Sequence, residues 1–212
     1  MAKPNPRITF ANKGSRSNFI ARFFANARDW AEGRLPFIRL ALLMFFAYIW
    51  FRHQNDWLYS SIFKGLNLGI HELGHFLFQP FGKFLFVAGG TIAQCGAPII
   101  GMAMFARQRD YFGIAAAFGW LSTNFYDVAT YSADARLREL PLVSPFGMEA
   151  EHDWTYLLGE LNLLARDQAV GIFFRRLGWG SMLICLLFGA WLVFHMFRTM
   201  SMDKIGEYVE GE

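Results

Sequence analysis

The chain has 212 residues, of which 54% are hydrophobic and only 17% charged. That charge content lies well below the roughly 25% of a soluble domain. Together with 24 Phe, 7 Trp and 7 Tyr it points to one compact integral membrane unit with no room for a second large domain. The net charge is a modest +3 and no basic patch continues along the chain, which argues against a nucleic-acid partner.

The basic residues Lys3, Arg7, Lys13, Arg16, Arg22, Arg28 and Arg34 crowd the N-terminus against only Asp29 and Glu32. Residues 1–34 are expected to form a basic tail on anionic lipid with a cytoplasmic N-terminus. Ser17 can cap a following helix in which Phe19, Ile20, Phe23, Phe24, Ala27 and Trp30 share one side. That helix either lies on the inner leaflet or packs on the protein's own surface. Residues 35–198 are expected to form the membrane-embedded domain, and 199–212 a short acidic tail.

Leu35 to Phe51 is the first candidate span, with Arg39 able to snorkel from its start. Trp57 to Phe78 reads as the next helix, ended by Pro80 and Gly82. Phe84 to Phe105 is apolar but interrupted at Gly89-Gly90 and Gly96-Ala97-Pro98. A break there could expose amides to an extended substrate or an oxyanion. Close packing through small residues, with Gln94 and Asn124 as interhelical hydrogen-bond partners, is the preferred reading. Tyr111 to about Ala129 and Leu177 to Phe197 complete the candidate spans. The expected fold is an all-α polytopic membrane bundle of four to five spans with an interfacial N-terminal helix. His53 and His195, at span ends, are expected at the interface, and Arg175 and Arg176 against lipid phosphate. Cys95 and Cys185 lie in separate apolar segments, and no disulfide between them is expected.

The strongest chemical signal is His71-Glu72-Leu73-Gly74-His75, an H-E-x-x-H pattern within an apolar stretch. Residues i and i+4 share a helix face, so both imidazoles can reach one ion. Glu72 lies about 100° round the helix, close enough to take a proton from an activated water. A charged group between two imidazoles is costly at membrane depth and therefore reads as functional. Catalytic zinc usually takes a third protein ligand. Asn124, Asp127, Tyr131 and Asp134 share one helical face, and Glu151-His152-Asp153-Trp154 follows further on. Asp127, Asp134, Asp153 and His152 are all candidates. Asp134 could equally pair with Arg136 or Arg138, and Asp153 could cap the helix starting at Trp154.

On these motifs the chain resembles the site-two protease class of intramembrane zinc metalloproteases, most specifically over Ile70 to Phe78. The resemblance implies that His71 and His75 bind zinc, that Glu72 is the catalytic base, and that Asp153 supplies the third ligand. His152 and Trp154 stand where that family has Leu and Gly around its distant Asp, and there is no N-x-x-P-x-P lead-in. The implied activity is hydrolysis of a peptide bond in or beside the bilayer of a bacterial inner membrane, with a transmembrane protein as substrate. A different class of function is a non-catalytic zinc-binding subunit, a scaffold or assembly partner of a larger membrane complex. A third is a metal-dependent hydrolase of lipid or another small substrate.

Overall fold

The computed structural model describes residues 19–140 and 152–210, the last ten as backbone only. Among these residues there is no strand, and seven α-helices follow in order: α1 (Phe19–Ala31), α2 (Phe37–Asn55), α3 (Lys64–Phe78), α4 (Lys83–Gln108), α5 (Tyr111–Ala133), α6 (Asp153–Glu160) and α7 (Asp167–Glu210). Two apolar stretches are long enough to cross a membrane, Lys83–Gln108 and Leu164–Met200. Ser17 and the basic residues up to Arg16 lie outside the described residues.

Small residues set the helix spacing. α5 and α7 run antiparallel, with the Ser122 hydroxyl donating to the Gly178 carbonyl at 2.7 Å and the Ser181 hydroxyl to the Phe118 carbonyl at 2.8 Å. α2 crosses the same α7, where Leu43 fills the space that a side chain at Gly189 would need. α1 packs by Phe23 on Tyr111 and Phe188, with ring centroids at 5.2 and 5.7 Å, while Phe19 and Ile20 stay exposed. The reading in which that helix packs on the protein's own surface holds for its Phe23 face. At the far end, Arg136 reaches out of the α5–α6 connection to the fully buried Asp167 at the start of α7, 2.8 Å away.

The motif helix is shorter than the expected Trp57 to Phe78, because helix begins only at Lys64. The Asp56 carboxylate accepts the Leu58 amide at 2.9 Å and turns the chain out of α2. The chain then heads back into the bundle: the Trp57 carbonyl accepts from Thr130, and Phe63 stacks on Phe46, which itself covers Gly119 of α5. Fifteen residues make about 22 Å of helix, short of the roughly 30 Å hydrocarbon core. α3 alone is too short to cross such a core.

α4 follows the preferred reading of its glycines and not the alternative of a broken segment. It is one continuous helix through Gly89-Gly90 and Pro98, with no break to hold an extended chain. A Cβ at Gly74 would lie 2.2 Å from the Gly89 carbonyl oxygen, and one at Gly89 would lie 2.6 Å from the Gly74 carbonyl oxygen. The glycines admit the neighbouring backbone rather than interrupting their own. Gly74→Ala is expected to lower stability by roughly 1–3 kcal/mol through overpacking. Gly69→Ala, facing open space on the same helix, is expected to leave it unchanged or higher. Thermal unfolding in detergent micelles measures both.

Candidate metal centre

α3 and the start of α6 place three side chains around one point. His71 and His75 lie one turn apart, with ring centroids 4.8 Å apart. Asp153, the first residue of α6, brings its Oδ2 to 2.8 Å from His71 Nε2 and 3.4 Å from His75 Nε2. One ligand atom from each residue lies within 4.8 Å of the others, and all three side chains are largely buried.

The outer ring nitrogens decide what this cluster can hold. His75 Nδ1 is 2.8 Å from the Phe86 carbonyl oxygen, which can only accept, so that nitrogen carries a proton. His71 Nδ1 is 2.6 Å from Gln94 Oε1, while Gln94 Nε2 donates to the Asn124 carbonyl at 3.5 Å. That amide orientation makes Gln94 Oε1 the acceptor and protonates His71 Nδ1 as well. Both Nε2 atoms of neutral imidazoles then present lone pairs to a carboxylate oxygen. Acceptor faces acceptor at 2.8 Å, an arrangement that needs a metal cation or a proton between them. Two imidazolium rings side by side in a buried site would repel one another. One divalent ion satisfies all three ligands at once. A tetrahedral ion with bonds of about 2.0–2.1 Å holds its ligand atoms roughly 3.3 Å apart, close to the separations here, and the Nδ1 contacts are the usual means of orienting metal-binding histidines.

Local sequence explains the positions. A Cβ at Gly90 would lie 2.4 Å from His71 Nε2, so only glycine leaves room for the ring. Gln94 follows one turn later on the same face of α4 and meets the other edge of His71. Asp153 does not cap its helix as one reading allowed: His152 does, with Nδ1 accepting the Thr155 amide at 3.3 Å. This leaves the Asp153 carboxylate to the histidines, and the Tyr131 hydroxyl accepts the Asp153 amide at 3.2 Å. Glu72 is half-buried beside the cluster and makes no hydrogen bond or ion pair among the described residues.

The other candidate ligands are employed elsewhere. Asp127 accepts from Asn67 at 2.7 Å. Asp134 accepts the Glu139 and Leu140 amides, each at 3.0 Å, and shapes the loop instead of pairing with Arg136 or Arg138. His152 stacks on Tyr131 at 4.3 Å, with its Nε2 3.6 Å from Asp134 Oδ2. His53 is not interfacial: it is buried and stacked on Tyr126 at 4.2 Å. Arg175 does not turn to lipid either. It donates to the His53 carbonyl and covers the Trp57 ring at 4.2 Å, tying α7 to the end of α2. Arg176 is exposed, and His195 is half-buried against Trp191. The role of Gln94 as partner of His71 was missed in the sequence. Its spacing of four from Gly90, on the face that meets α3, is the signal that could have found it.

Comparison of the chain with protein-family models, with curated proteins and with solved structures finds no match.

Proposed function

We propose that the protein is a zinc-dependent membrane endopeptidase, held by four spans, α2, α4, α5 and α7, with α3 inserted only part-way. The observation that carries this reading is the pair of imidazole Nε2 atoms, both with Nδ1 protons committed elsewhere, facing one carboxylate. His71, His75 and Asp153 would hold the ion. When bound, zinc supplies Lewis acidity that activates water and polarises the scissile carbonyl. Glu72, unpaired and next to His71 in sequence, takes the proton of the attacking water and passes it to the leaving amine. Gln94 and the Phe86 carbonyl keep both rings in the required tautomer. The substrate is a transmembrane protein whose helix must unwind locally before its carbonyls are open to attack. The basic N-terminus supports a cytoplasmic position for that end, and the family resemblance alone suggests a bacterial inner membrane.

The test is cleavage of membrane-embedded peptides by the purified full chain. A zinc chelator is expected to stop cleavage, and added zinc to restore it. A protein that carries zinc yet supports its cellular role unchanged after loss of any cleavage would be a scaffold instead. Asp127→Asn and Asp134→Asn are expected to retain full zinc by elemental analysis, because neither carboxylate belongs to the cluster.

A further inference from the structure

Water adding to a carbonyl places negative charge on the carbonyl oxygen, and in a site shielded from solvent that charge needs a fixed hydrogen-bond donor besides the ion. The donors that touch the three-residue cluster are nearly all committed. His71 Nδ1 donates to Gln94, His75 Nδ1 to the Phe86 carbonyl, and Gln94 Nε2 to the Asn124 carbonyl. The Asp153 amide donates to Tyr131 Oη. The Tyr131 hydroxyl, on the amide of Asp153, is not committed. It uses a lone pair to accept that amide, while its own proton has no acceptor among the described residues.

The ring is fixed where this proton would be useful. Tyr131 is half-buried in the last turns of α5, stacked against His152 at 4.3 Å, with its centroid 6.2 Å from that of His71. The hydroxyl therefore sits on the amide of the residue that closes the proposed ligand set, with its ring beside the ring of His71.

We propose that Tyr131 is a catalytic residue, whose hydroxyl donates a hydrogen bond to the carbonyl oxygen as charge develops there. The proton stays on Oη, and no bond to the residue forms or breaks. The inference rests on the metal-dependent reading above.

The test uses the full chain loaded with cobalt(II), whose visible spectrum reports ligands that join the ion, and compares the parent with Tyr131→Phe. Two probes are titrated: methylphosphonate, a tetrahedral oxyanion, and the thiolate of 2-mercaptoethanol, which needs no donor. Tyr131→Phe is expected to keep the parent's cobalt stoichiometry, spectrum and thiolate affinity, and to bind methylphosphonate about ten- to hundredfold more weakly, the scale of one hydrogen bond to a charged acceptor. Equal methylphosphonate affinity in the two proteins overturns the proposal. So does a parallel loss for both probes with an altered spectrum, which would make Tyr131 only a positioning residue for Asp153. A parent chain that takes up no cobalt overturns the metal reading itself, an outcome distinct from either of these.

Discussion

Glu72→Gln is expected to abolish cleavage while the protein keeps its full zinc. The substitution preserves shape and leaves His71, His75 and Asp153 untouched, so metal content and thermal stability should match the parent. It removes a carboxylate beside the cluster that makes no hydrogen bond or ion pair among the described residues. General acid–base catalysis by a positioned carboxylate contributes about 10²–10⁴-fold, and here the same group serves both the attacking water and the leaving amine. The expected loss is therefore at least about a hundredfold in kcat. Single-turnover cleavage of a membrane-embedded peptide, with elemental analysis on the same sample, reads both quantities. In cells, fragments present with the parent chain should disappear with the variant. Full activity in Glu72→Gln would remove the proposed base, whatever the metal content.

The second large effect is expected at Asp153. Asp153→Ala leaves two imidazoles one turn apart, with no third ligand and no negative charge facing them. Loss of groups that merely orient ligands costs roughly 10–100-fold in metal affinity, so loss of the ligand itself should exceed about a hundredfold. Competition with a chromophoric chelator measures it. His152→Ala provides the contrast. It removes the cap of α6 but no member of the cluster, so any weakening should show mainly in stability. Full zinc affinity in Asp153→Ala would refute the ligand set, and the contact with His71 and His75 would then be an ion pair alone.

Several features of the fold were legible because they are local. The i and i+4 histidines and the helical character of most apolar segments follow from spacing and composition, which a helix reads along its own length, whereas the final helix, expected over Leu177 to Phe197, runs over Asp167–Glu210. What stands opposite each helix is less legible. Glycine looks the same in sequence whether it breaks a helix or admits a neighbour, and only α3 lying against α4 shows that Gly89 and Gly90 do the second. Trp57 to Phe63 is apolar enough to pass for helix, yet it turns back at Asp56 to bury Phe63 against Phe46. Arg175 and His53 were assigned to the interface from their positions at span ends. Packing of α2 on α7 instead makes Arg175 a donor to a helix-end carbonyl and His53 a buried partner of Tyr126.

The sequence by itself determined that two imidazoles and a neighbouring carboxylate share one turn of helix, because a 3.6-residue period leaves no other geometry for that spacing. Which of four candidates joins them was a question of the tertiary structure. Asp153 stands 82 residues from His71, and only the turn of α6 toward the α3–α4 pair brings its carboxylate between the rings while Asp127, Asp134 and His152 bond elsewhere. Spacing governs contacts within one helix; contacts between helices depend on which small residues let two backbones approach.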